Sequence, residues 1–168
     1  MLIRIAKGDI FQDADKFIFH TEDGVVVVPA DDAIVPDALM EQFKKYSTLK
    51  PRVARVSPPP YDAENPQTSW ANLRDFYVRL FKDGHANGAK VLVVPALGVE
   101  GEGGGAYPLA SAATAAISAA EEFLAHDTLT EVVFVLKHTA TFNAYSYANA
   151  QRVGLGAAHI RLGPFADY

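Results

Sequence analysis

The chain has 168 residues, of which 49% are apolar and 21% charged, with a formal net charge of −5 and no cysteine. That size predicts one domain, since domains commonly run to about 100–200 residues, and the apolar content excludes a disordered chain. Missing cysteines exclude disulfides, thiolate zinc sites and cysteine nucleophiles, and the negative charge argues against nucleic acid held by a general basic field.

Leu2–Ala6 ("LIRIA") is apolar and β-prone, and Lys16–His20 ("KFIFH") is a second short strand candidate. Gly24–Ala30 ("GVVVVPA") is a near-continuous β-branched run, the pattern of a strand buried on both faces. Val35–Tyr46 predicts a helix, with Pro36 at its first position and Leu39, Met40 and Phe43 at helical spacing. Arg52–Val56 alternates as a strand does, and "SPPPYDAENPQTS" (Ser57–Ser69) reads as a proline-rich surface loop. From Thr68 to about Ala86, Trp70, Leu73, Phe76, Tyr77, Leu80 and Phe81 mark one helical face.

A second wholly apolar strand, "KVLVVPA" (Lys90–Ala96), follows. The helix Pro108–His126 buries Leu109, Ala112, Ala116, Ile117, Ala120, Phe123 and Leu124 in this reading. Glu131–Lys137 is a third apolar strand, Thr139–Gln151 a helix, and Ala158–Leu162 a closing strand. Strands alternating with helices imply an α/β fold with a mixed, largely parallel sheet covered on both faces. No apolar run reaches the ~18 residues of a membrane span, and no signal peptide opens the chain. The expectation is a soluble cytoplasmic protein.

In such sheets ligands bind beyond the carboxyl ends of the strands. Three buried strands end in loops of unusual content: "PADD" (Pro29–Asp32), "PALGVEGEGGGAYP" (Pro95–Pro108) and "KHTATF" (Lys137–Phe142). The second suits anion binding, because free backbone N–H groups and a helix N-terminus both face the ligand and glycine lets them come close. It lacks the Lys-Ser/Thr of a Walker A motif and the spacing of the dinucleotide fingerprint. Two glutamates inside it, Glu100 and Glu102, would oppose an anion. Either they point to water and leave the main chain to face the ligand, or they join Asp31 and Asp32 around a divalent cation, which prefers oxygen ligands. His138 is the histidine nearest the site; the other four show no catalytic or zinc spacing.

"KGDIF" (Lys7–Phe11), "VVVVPADDAI", "VLVVPALGVEGEGGGAYPLASAATAAISAAEEFL" and "LTEVVFVLKHTATFNAYSYA" together resemble, in order and over most of the chain, the motifs of macro domains. The resemblance implies a single macro-like domain over residues 1–168, a three-layer α/β/α sandwich that binds ADP-ribose or a related small nucleotide, with no cofactor. It also implies site residues. Asp9 would accept a hydrogen bond from the adenine amino group, and the Ile10 backbone would sit beside the base. Ala30 and Asp32 would lie in the first loop. Gly98, Val99, Gly101, Gly103, Gly104 and Gly105 would wrap the pyrophosphate and distal ribose, and Phe142 would pack against the adenosine or ribose.

The chain departs from that pattern at the first loop. The family's two ribose-contacting asparagines stand here as Pro29 and Asp32, Asp31 replaces an alanine, and the following "AIVPDALMEQF" contains no glycine. Hydrolysis of ADP-ribosyl esters or of ADP-ribose phosphates would need an activated water, with Asp31, Asp32, Glu100 or Glu102 supplying the base or holding a cation. A fold that has lost its ligand and serves as a scaffold is the third reading, and nothing in the sequence names a protein partner.

Overall fold

Valine-rich runs that are apolar at every position, rather than at alternate ones, bury both faces of a strand, and two such strands form the centre of this molecule. A computed structural model describes residues 2–9, 24–29, 52–86, 88–99, 106–124 and 131–155. In chain order the elements are β1 (Leu2–Lys7), β2 (Gly24–Pro29), β3 (Arg52–Val56), α1 (Pro66–Ala86), β4 (Val91–Val94), α2 (Leu109–Leu124), β5 (Glu131–Leu136) and α3 (Thr139–Leu155). The expected strands at Lys16–His20 and Ala158–Leu162 and the expected helix at Val35–Tyr46 lie outside the described residues.

The strands form one five-stranded sheet in the order β1-β5-β4-β2-β3. Every described pairing is parallel, with Ile3 opposite Val132, Val93 opposite Val133 and Val26 opposite both Val53 and Val93. The antiparallel part of the expected mixed sheet has no counterpart among the described strands. Leu92, Val94, Val132, Phe134 and Leu136 join the helices in one core cluster. The alternate residues Val91, Val93, Val133 and Val135 point to the other face and are at most 4% exposed, so that face is covered too. β4 and β5 are thus the middle of a three-layer sandwich.

The connections β3–α1–β4 and β4–α2–β5 step across the sheet in the same direction. Right-handed crossovers then place both helices on one face, where α2 packs between α1 and α3. Alanine permits that position. Ala112, Ala113, Ala115, Ala116, Ala119 and Ala120 are all buried, and their small side chains let helices approach on both sides. Polar contacts seal the rim of the α1–α2 seam. Trp70 Nε1 donates to Thr114 Oγ1 at 3.0 Å, Arg74 Nε donates to Ser118 Oγ at 2.9 Å, and Arg74 also pairs with Glu122.

α1 starts at Pro66, earlier than the apolar periodicity suggests. Asn65 accepts the first helical bond from Ser69 N–H, and proline at the next position gives up no hydrogen bond there. The helix ends with Gly88 at φ +81°, where Gly88 N–H reaches His85 C=O and Ala89 N–H reaches Gly84 C=O. These two bonds form a Schellman cap, which needs the left-handed backbone that glycine adopts without strain. Pro95, which has no N–H for the ladder, follows directly on the last residue of β4. Among the described residues no helix is long and apolar enough to cross a membrane.

Aromatic rings tie the layers together. Phe134 lies 6.3 Å from Tyr77 and 5.4 Å from Tyr145, centroid to centroid, and Phe81 lies 6.0 Å from Phe123. Tyr77 is fully buried, and its Oη accepts the Leu97 N–H at 3.2 Å. Burial pushes its phenol up to about 12, against smaller opposing pulls from hydrogen bonds with Tyr145 and Leu97. Tyr77→Phe leaves the Leu97 N–H buried without its acceptor, and a loss of about 1–3 kcal/mol in urea unfolding is expected. Because the folded phenol titrates above its ordinary value of 10.0, unfolding above that pH releases a proton. The wild-type chain should lose stability as the pH rises from about 10 towards 12, and Tyr77→Phe should flatten that part of the stability–pH curve.

Candidate functional site

In a parallel sheet all strands end on the same edge, and this sheet order sets the ends of β1, β5 and β4 side by side. Gly8 N–H donates to Leu136 C=O at 2.9 Å, carrying the ladder one residue beyond β1 and holding Asp9 at the edge. The Asp9 side chain is half-buried, with Lys137 Nζ 4.0 Å from its Oδ2. Lys7 Nζ donates to Thr139 Oγ1 at 2.6 Å, joining the end of β1 to the start of α3. Phe142 stands in the first turn of α3, its N–H bonded to His138 C=O at 2.9 Å, and its half-buried ring packs on the core cluster. The structure therefore brings Asp9 and Phe142 to adjacent strand ends. His138 is exposed at the same edge.

After β4 the chain turns inward. Ala96, Leu97, Gly98 and Val99 are all buried, and Tyr77 holds the Leu97 N–H from below. Gly98 has φ +77°, and a Cβ there would come within 3.0 Å of the Tyr107 ring. Two independent reasons, backbone and space, thus require glycine. Its C=O accepts the Tyr107 N–H at 2.9 Å, and Val99 bridges Tyr107 in a short parallel pairing. The loop is clasped at both ends immediately before α2, whose first helical bond runs from Ala112 N–H to Pro108 C=O at 3.0 Å. Glu100, Gly101, Glu102, Gly103, Gly104 and Gly105, within the loop, lie outside the described residues, as do Ile10, Ala30, Asp31 and Asp32.

Tyr107 was missed as a site residue by the sequence reading, although it stands between the glycines and Pro108. Its ring is buried, and its hydroxyl lies 3.1 Å from Ser69 C=O and 3.3 Å from Pro60 C=O. Burial first, and then the neighbouring Tyr61, raise the Tyr107 phenol above its ordinary value. The Tyr61 ring meets it at 5.1 Å with a 54° tilt. The proline-rich segment, read from sequence as a plain surface loop, is thereby fastened to the base of the glycine loop. Between them opens a cleft of about 380 Å³ lined by Pro58, Pro59, Pro60, Tyr61, Gly98, Ala106 and Tyr107. Among the described residues no group of three or more metal-ligating side chains occurs; the acidic cluster weighed from sequence falls outside them.

No family model and no curated protein matches the sequence. Solved structures do match in three dimensions. A mutant macrodomain from Oceanobacillus iheyensis with ADP-ribose is 17% identical, covering 89% of this chain and 92% of that one, with a TM-score of 0.59. A Trypanosoma brucei macrodomain in complex with ADP is 16% identical, covering 88% and 68%, with a TM-score of 0.62. The macro domain of ganglioside induced differentiation associated protein 2 is 14% identical, covering 89% and 83%, with a TM-score of 0.62. The chain has the macrodomain fold.

Gly98→Ala tests the clasp. Left-handed strain of about 1–2 kcal/mol and the contact with the buried Tyr107 ring both oppose the new methyl. A loss of about 2–4 kcal/mol in chemical unfolding is expected for the pair of effects, with Gly88→Ala, where no atom lies within 4 Å of the new Cβ, losing only the backbone share.

Proposed function

We propose that this chain, a macrodomain by fold, binds ADP-ribose or a closely related adenosine diphosphate nucleotide along the carboxyl edge of its sheet. The observation that carries the reading is the clasp at Gly98. A glycine-rich stretch held at Gly98 and Tyr107 and followed directly by α2 would offer main-chain N–H groups and a helix N-terminus to a diphosphate. Asp9 follows β1 and Gly98 follows β4, whose strands lie two spacings apart in the sheet, roughly 10 Å, a span that a nucleoside bridges between its base and its phosphate.

In this reading Asp9 accepts the adenine amino group, with the Ile10 backbone beside the base and Phe142 against the adenosine. Gly98 and Val99, with Gly101, Gly103, Gly104 and Gly105, surround the diphosphate and the distal ribose, and Ala30 and Asp32 border it from the first loop. That macrodomains of the same fold hold ADP-ribose and ADP supports the ligand class. A hydrolytic reading would need Asp31, Asp32, Glu100 or Glu102 as base or cation holder; no observation among the described residues favours it, and binding stands without it.

Calorimetry with ADP-ribose tests the proposal directly. Saturable heat is expected, and silence at high-micromolar ligand, where a known binder responds, overturns it. Asp9→Ala should weaken binding roughly 10- to 100-fold, since hydrogen bonds to a charged group are worth about 1.5–3 kcal/mol, while Asp9→Asn, which keeps a carbonyl acceptor, should lose less.

A further inference from the structure

Of the described residues lining the cleft between the proline-rich segment and the loop base, only Gly98 belongs also to the ADP-ribose site proposed above. Among the described residues its lining is Pro58, Pro59, Pro60, Tyr61, Gly98, Ala106 and Tyr107, none of them charged. The half-buried Tyr61 ring and three consecutive prolines make a wall for a flat apolar group, and the Tyr107 ring, 1% exposed, packs behind Tyr61 at 5.1 Å. At about 380 Å³ it has the size of a small-ligand site rather than a packing gap. Tyr107 is held in place by its N–H to Gly98 and by its hydroxyl near Ser69 C=O and Pro60 C=O, so the backing of the Tyr61 ring exists before any ligand arrives. Tyr61 is half-buried, with part of its surface left to a ligand.

Position decides what the flat group is attached to. Gly98 belongs both to the clasped loop and to the cleft lining. With the adenosine on the β1 side of that loop, the other substituent of the diphosphate leaves on the β3 side, from which Pro58 to Tyr61 reach back to Gly98. We infer that the cleft is a subsite for a planar nitrogen heterocycle carried on the distal ribose, so that the preferred ligand is a dinucleotide with a ring at each end rather than ADP-ribose. This rests on the nucleotide reading above and deepens it. The same chemistry has two sources: a pyridinium ring, as in NAD, which adds cation–π attraction to Tyr61, or a second purine, as in diadenosine diphosphate, which stacks without charge.

The test is calorimetry of the whole chain with ADP-ribose, NAD and diadenosine diphosphate in parallel. At least one dinucleotide should bind about 10-fold more tightly than ADP-ribose, within the range that stacking on one aromatic side chain gives. Whichever of the two gains identifies the ring. Tyr61→Ala should erase that gain while ADP-ribose affinity holds, and Tyr61→Phe, which keeps the ring, should retain it; thermal melts of both variants verify folding. Dinucleotides that bind no more tightly than ADP-ribose overturn the inference and leave the nucleotide reading intact. Equal weakening of all three ligands by Tyr61→Ala also overturns it, because the ring then acts only as packing. Failure of all three to bind the wild-type chain removes both readings together.

Discussion

Burial of β4 and β5 on both faces is the constraint from which the rest follows. A parallel pair cannot be joined by a tight hairpin, so each strand must be followed by a long crossover. Because Val91, Val93, Val133 and Val135 are as buried as their alternates, both faces have to be covered. Parallel direction sends every strand end to one edge, and the loops that carry polar and flexible residues collect there. The candidate site is thus a by-product of how this hydrophobic core is closed: the residues that must leave the sheet are the residues available for chemistry.

Two kinds of side chain make that arrangement rigid where it matters. α2 is packed on two flanks through alanine, which brings α1 and α3 close but offers no polar group to the interior. Tyrosines supply what alanine cannot. Tyr77 gives an acceptor to the Leu97 N–H at a depth where no water compensates an unpaired amide. Tyr107 uses its main chain on Gly98 and its hydroxyl near Ser69 and Pro60. Each ring fills core volume while its polar end fixes a loop, a combination that phenylalanine cannot offer at either position.

Much of this was legible in the sequence, because continuous valine runs and helical spacing are strong signals when burial is complete. All five described strands fall within the segments read as strands, apart from residues at their ends, and α1, α2 and α3 fall where the periodicity put them. The ends moved for local reasons, such as Pro66 entering α1 and Pro95 following β4. The site was legible only in part. Asp9, Phe142 and Gly98 follow from motif position, whereas Tyr77, Tyr107 and Tyr61 do not. Their roles depend on contacts across 20 to 47 residues, which no local pattern encodes, and Tyr77 in particular reads from sequence as an ordinary apolar face residue. Glu100 and Glu102, the residues that sit least easily with an anion, belong to the stretch between the clasped ends.

The clasp also separates the length of that stretch from the stability of the fold. Tyr107 is fixed to Gly98, to Ser69 and to Pro60 by bonds that do not involve residues 100–105. For a loop whose ends are held in this way, doubling its length costs only about 0.6 kcal/mol in closure entropy. Additions or losses within the segment therefore stay local, and neither β4 nor α2 has to shift to absorb them. A chain built like this can exchange the contents of the loop between Gly98 and Tyr107 as a cassette while its architecture stays put.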